Sequence, residues 1–189
     1  MKRSSILWNA GIVLIKNNII SMADHLIDIV NEKDEVIGQE LKSKKQELGF
    51  ISRTVAIFIK DSDNKFIIAK RALHKRLAPG KEDLAVCGNV DAGETYKQAA
   101  SREVAEETGI KEPMTLLEHF YEEVDDGFGT LRYFCSIFII CTDTEPKYND
   151  EIMSYRKLTK QEIEKEIAQT PEKFCDGFIN DFNKVKNKL

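Results

Sequence analysis

Glu103, Glu106 and Glu107 are separated by three and four residues, the spacing that brings side chains to one face of a helix with 3.6 residues per turn. For folding alone this is a poor arrangement. Two of the three acids fall in the last turn, where the helix dipole disfavours negative charge, and each carboxylate repels the others. Carboxylates gathered in this way suit a hard divalent cation, with Mg²⁺ ahead of Ca²⁺ if phosphate oxygens complete the shell.

The surrounding residues form a loop and helix able to carry those acids. Thr95 and Gln98 have the spacing of a capping box, which starts the helix just after Glu94. Tyr96, Ala100 and Val104 recur every four residues and supply a buried side. Gly109 stops the helix in a left-handed conformation, and Ile110 folds back against it. Ahead of the helix, the run Gly88, Asp91, Ala92, Gly93 reads as a tight loop whose backbone can approach a ligand closely.

The order Gly88, five residues, Glu94, seven residues, Arg102-Glu103-Val104, one residue, Glu106-Glu107, one residue, Gly109-Ile110 matches every fixed position of the Nudix box. The chain therefore resembles a Nudix hydrolase. That resemblance implies an α/β/α sandwich with a mixed β-sheet, and cleavage of a diphosphate linkage by water with Mg²⁺, Mn²⁺ serving as a substitute. It also implies roles for individual residues. Glu103, Glu106 and Glu107 are metal ligands, Gly88 offers a carbonyl, Arg102 orients the carboxylates, and Glu94 braces the loop and Arg102. Glu151 lies where related hydrolases carry a further acid, as ligand or general base; Glu103 and Glu122 are the other bases to consider.

A second resemblance lies in the flanks. RALHKRLAPG at 71–80, VCGN at 86–89 and NDEIMSY at 149–155 are similar to segments of type I isopentenyl-diphosphate isomerase, a member of the same superfamily. Cys87 matches the catalytic cysteine of that enzyme. Ser52 and Asn89 stand where the isomerase has metal-binding histidines, Leu131 and Tyr133 where it has paired glutamates, and Gly177 where it has a tryptophan. The hydrolytic box is complete while the isomerase set is not. A hydrolase, acting on a nucleoside diphosphate derivative, is the main reading; an isomerase using Cys87 and a non-enzymatic phosphate-binding module are the alternatives.

Arg71, His74, Lys75, Arg76 and Lys81 cluster around the Pro79-Gly80 turn. They read either as a solvated loop or as a clamp for substrate phosphate, with Arg71, Lys75 and Lys81 the clamp residues. Phe120, Tyr121, Phe128 and Phe134 make either a wall for the substrate or ordinary core. Glu122, Glu123, Asp125 and Asp126 offer either another ligand or a wet turn.

The strands that must position these groups are expected over 26–30, 54–60, 66–70, 84–86, 114–121, 130–140 and 152–156, with 54–60 and 66–70 paired as a hairpin. Lys42 to Glu47 reads as a connector. Helices are expected from Thr159 to Ile167 and from Thr170-Pro171 onward, the last burying Phe174, Phe178, Ile179 and Phe182 and leaving Asp176, Asp181 and the terminal lysines wet.

A chain of 189 residues supports one domain over 25–189, with 1–24 as an N-terminal extension or peripheral strand. A net charge of −4 argues against a stable nucleic-acid partner and leaves a small phosphorylated substrate. The four cysteines have no metal-binding spacing, and reduced thiols in a cytoplasmic protein are expected. The apolar stretch before Lys16 is too short to span a membrane. A monomer or a homodimer is expected, the latter through an exposed early strand.

Overall fold

The structure, a computed structural model, describes residues 24–125, 127 and 129–189. The extension expected over 1–24 falls, apart from Asp24, outside the described residues, as do Asp126 and Phe128. The chain opens with a hairpin of β1 (Leu26–Val30) and β2 (Val36–Leu41), then winds through a short 3-10 turn, Lys42–Lys44, and one turn of helix, α1 (Lys45–Leu48). The connector expected there is thus helical, closed by Gly49 at φ 63°. Next come β3 (Ile51–Lys60), β4 (Lys65–Arg71), β5 (Glu82–Asp83), β6 (Val86–Asn89) and α2 (Tyr96–Thr108). The chain ends with β7 (Met114–Asp125), β8 (Thr130–Cys141), β9 (Ile152–Thr159), α3 (Lys160–Gln169) and α4 (Asp176–Val185).

β3 is the hub of the mixed sheet. It runs parallel to β8 from Ile51 opposite Arg132 to Lys60 opposite Cys141, and antiparallel to β6 from Thr54 opposite Asn89 to Ile57 opposite Val86. This corrects the expected hairpin. With β3 already paired to β8 and β6, β4 touches it only at Lys60–Phe66 and pairs along its length with β9 instead. The expected strand at 84–86 is also displaced: Leu84 and Ala85 separate β5 from β6.

Strand alternation sends β3 side chains to two layers. Val55, Ile57 and Ile59 pack in one cluster with Ala99, Ala100 and Val104 of α2. Ala56 and Phe58 pack in the other with Phe174, Phe178 and Phe182 at α4. The result is the expected α/β/α sandwich. Burying a phenylalanine such as Phe178, 0% exposed, contributes on the order of 2–3 kcal/mol, so α4 is firmly fixed to the sheet.

Two features of α4 depart from expectation. Thr170-Pro171 opens only a short 3-10 turn, Pro171–Lys173, and the helix proper starts after Cys175, whose side chain makes no capping hydrogen bond. Asp181 is half-buried rather than fully wet. It lies one turn beyond Phe178 and one before Lys184, and burial pushes its carboxyl up to about 7, with Asp83 and Glu122 adding to the effect against Lys184.

The β1–β2 hairpin is tied to the loop before α2. Buried Asp28 accepts from Gly93 N–H at 3.1 Å and from Gln39 at 3.0 Å. Asp34 accepts from Arg53 Nε at 2.6 Å and from the Tyr96 hydroxyl at 2.8 Å. Among the described residues, no helix is long and apolar enough to cross a membrane.

Candidate active site

The helix that carries the acids forms for the local reasons read from its sequence. Thr95 caps Gln98 N–H while the Gln98 side chain accepts from Thr95 N–H, and Gly109 closes the helix at φ 73°. No basic residue occupies its last turn. The negative end of the helix is therefore left uncompensated, beside Glu106 and Glu107.

Arg102 ties this helix to the preceding loop. Its Nε and Nη2 donate to the two Glu94 oxygens at 2.9 and 2.8 Å. Nη1 donates to Glu103 Oε1 at 2.9 Å and reaches Glu106 Oε2 at 3.4 Å, while Nη2 also donates to the Asn89 carbonyl at 3.0 Å. Glu94 in turn accepts from Asp91 N–H at 3.1 Å. Arg102 holds the Glu94 carboxyl below the ordinary carboxylate range. A flat guanidinium with fixed donors can satisfy this many acceptors; a lysine cannot.

The Glu103 carboxylate lies directly against the backbone of Gly88. A Cβ at position 88 would stand 2.1 Å from Glu103 Cδ, so only glycine fits. Burial raises the Glu103 carboxyl despite the opposing pull of Arg102. Glu107 points into the interior of the cleft, where burial, then Glu103 and Glu151, push its carboxyl up to about 8. Glu106 is exposed. Among the described residues no three His, Cys, Asp or Glu side chains converge as a ready-made metal cage. Even so, a hard divalent cation fits this donor set, which consists of carboxylates and carbonyls around a bare Gly88, with a buried acid lacking a compensating charge at hydrogen-bond distance.

A cleft beside α2 brings together Glu107, Glu151, Lys75, Arg71, Asp83 and Cys87. Lys75 Nζ donates to Glu151 Oε2 at 2.8 Å. Arg71 reaches the cleft but is held from behind, with Nη1 on Asp83 at 2.8 Å and Nε on the Leu77 carbonyl at 3.1 Å. Lys81 does not line the cleft, and its carbonyl accepts from Arg71 N–H at 3.0 Å. The expected three-residue clamp is thus brought together as a pair, each already facing an acid. A roomier hollow of ≈ 350 Å³, lined by Glu32, Ile51, Tyr121, Glu123 and Arg132, contains none of the box glutamates. Size alone does not mark the chemistry.

Cys87 is solvent-exposed. The surrounding protein, then Asp83, Asp181 and Glu107, raise its thiol above its ordinary value. Ser52 is 0% exposed, and the Asn89 carbonyl is engaged by Arg102. Glu122 lies on another strand face, its Oε2 2.8 Å from Lys184 Nζ, and is absent from the cleft that holds Glu107 and Glu151. Of the aromatic wall, Phe134 is buried and stacks on His119, whereas Tyr121 is 39% exposed.

Asp83 and the Asn89 carbonyl were not legible as site components. Asp83 could have been sought as the buried counter-ion that Arg71 requires. A backbone carbonyl carries no sequence signal.

Residues 51–178 match the NUDIX domain family. An uncharacterized Nudix hydrolase of Pseudomonas aeruginosa is 32% identical over 148 residues, covering 77% of this chain and 84% of that protein. An isopentenyl-diphosphate delta-isomerase of Serratia proteamaculans is 27% identical over 158 residues, covering 82% of this chain and 88% of the relative. Among solved structures, a protein of Deinococcus radiodurans aligns with a TM-score of 0.71 at 28% identity, covering 85% of this chain and 98% of its own.

Proposed function

The chain belongs to the Nudix family and is a Nudix-type hydrolase of diphosphate linkages, and from that premise we propose that residues 25–189 act as one domain cleaving a nucleoside diphosphate derivative with Mg²⁺. The observation that carries this reading is Glu103 laid against bare Gly88 and fixed there by Arg102. Glu103, Glu106, Glu107 and the Gly88 carbonyl would hold the cation. When bound, it neutralises charge on the diphosphate oxygens and makes a nearby water more acidic.

The protein's own groups do the rest. Arg102 and Glu94 keep the carboxylates oriented, so little reorganisation is needed during the reaction. Lys75 exchanges its Glu151 partner for a substrate phosphate, which frees the Glu151 carboxylate to accept a proton. Arg71, braced by Asp83, presents fixed charge toward the same phosphate. Glu103 and Glu151 are the two acids placed to take the proton from attacking water. Glu122 is set aside because Lys184, rather than the cleft, faces it.

Glu106→Gln and Glu107→Gln should each abolish most metal-dependent release of phosphate products, with the fold retained. Full activity in either variant contradicts its role as a ligand. The isomerase reading is favoured by the place of Cys87 at the cleft and by the isomerase relative. Cys87→Ala should spare hydrolysis, and loss of turnover in a folded Cys87→Ala protein would restore that reading.

A further inference from the structure

Glu151 is the last residue of the loop that joins β8 to β9, and that loop is tied down on three sides. Lys147 N–H donates at 2.9 Å to the carbonyl of Thr108, the final residue of α2 and the neighbour of Glu107. The Tyr148 hydroxyl donates at 3.0 Å to the carbonyl of Ala85, just ahead of β6 and the Gly88 that it carries. Ala72 N–H, one residue past the end of β4, donates at 2.8 Å to the carbonyl of Glu151 itself. The loop is therefore registered against the helix bearing Glu107, the strand bearing Gly88 and the strand end bearing Arg71.

Of these three ties, the one at Ala85 alone is made by a side chain. Any residue but proline supplies a backbone N–H, whereas this tie needs a hydroxyl at the far end of a long, stiff side chain. The Tyr148 ring packs against the cluster that holds Ala85, Val86, Val104 and Ile110, and lies 5.7 Å from the Tyr155 ring. Ala85 is 1% exposed, so bulk water is poorly placed to replace the hydroxyl. Burial, then Glu107, raise the Tyr148 hydroxyl above its ordinary value, so it stays a donor. Between Tyr148 and Glu151 the chain turns tightly, with Asn149 Oδ1 accepting from Glu151 N–H at 3.0 Å. A turn closed in this way leaves little slack, and a shift at Tyr148 is passed to the carboxylate three residues later.

Such a shift matters because of what Glu151 faces. Its carboxylate shares the cleft with Glu107 and pairs with Lys75 Nζ at 2.8 Å. A misplacement of about 1 Å in a reacting group costs on the order of 100-fold in rate. On the hydrolase reading above, with Glu151 taking the proton from water, we propose that Tyr148 is a positioning residue: its hydroxyl fixes the 142–151 loop on the Ala85 carbonyl and so sets where Glu151 stands relative to Glu107. Tyr148 acts through Glu151, not on the substrate.

A double-mutant cycle tests this, run on whichever of ADP-ribose, UDP-glucose and ATP the wild-type protein cleaves fastest with Mg²⁺. Glu151→Gln should lower kcat by roughly 100-fold or more, the scale of general-base catalysis. Tyr148→Phe keeps the ring and loses the hydroxyl; it should lower kcat about tenfold with KM within about threefold of wild type. In the Glu151→Gln background the same change should cost less than about twofold, because the group it positions is already gone. If Tyr148→Phe does not fold, Asn149→Ala, which loosens the turn before Glu151, takes its place in the cycle. An unchanged kcat in Tyr148→Phe, or a loss of the same size in both backgrounds, overturns the proposal. Wild-type kcat in Glu151→Gln also overturns it and leaves the hydrolase reading intact, with Glu103 as the base. No metal-dependent cleavage of any of the three compounds overturns both.

Discussion

Arg102 and Gly88 are each defined by a single geometric demand. Arg102 serves Glu94, Glu103, Glu106 and the Asn89 carbonyl at once, and replacing it by lysine keeps the charge but loses the planar fork. Arg102→Lys should lower metal affinity or turnover by roughly 10–100-fold, the usual effect of removing a group that orients ligands. A metal titration followed by turnover checks this, and an unchanged titration contradicts it. Gly88→Ala should displace the Glu103 carboxylate, because the new methyl would stand 2.2 Å from Oε1. Much of this was readable from residue types and spacing: the three acids, the glycine and the capping pair all lie within one contiguous stretch. The Asp83 partner of Arg71 was not, since a buried counter-ion is supplied by a different strand.

Local signals predicted the helices better than the sheet. Thr95-Gln98 and Thr159-Glu162 both form reciprocal capping boxes, because such a cap depends on residues three apart. Thr95→Ala should destabilise the protein by about 1 kcal/mol, read as a lower denaturant midpoint, and should loosen the start of the helix that carries the acids. Strand partners are long-range, and this is where expectation and structure diverged. A turn at Asp61 to Asn64 between two apolar runs reads as a hairpin, yet β8, 80 residues away from β3 in sequence at Thr54 and Phe134, claims the pairing instead. The partial burial of Asp181 was hidden for the same reason, since only the docking of α4 decides which helical stripe meets the sheet.

Across the whole molecule, the site stores unfavourable charge that a ligand would relieve. Glu107 has an ordinary carboxyl value near 4.5 when unfolded and is pushed up to about 8 in the folded protein. The folded state thus binds that proton more tightly, so its contribution to stability is largest below the unfolded value and is lost as pH rises through the folded one. Metal-free protein should therefore lose stability between about pH 5 and pH 8 relative to Glu107→Gln, with the gap constant above that range. Thermal melts of both proteins across pH check this, and parallel curves contradict it. Adding Mg²⁺ at pH 8 should raise the wild-type melting temperature and leave Glu107→Gln nearly unmoved. The most direct test of the account is a product-resolved assay of the purified protein on nucleoside diphosphate conjugates, nucleoside triphosphates and isopentenyl diphosphate, with Mg²⁺ and with Mn²⁺. Metal-dependent release of phosphate-bearing fragments, absent in Glu107→Gln, is the predicted result; conversion of isopentenyl to dimethylallyl diphosphate with the diphosphate intact would contradict it.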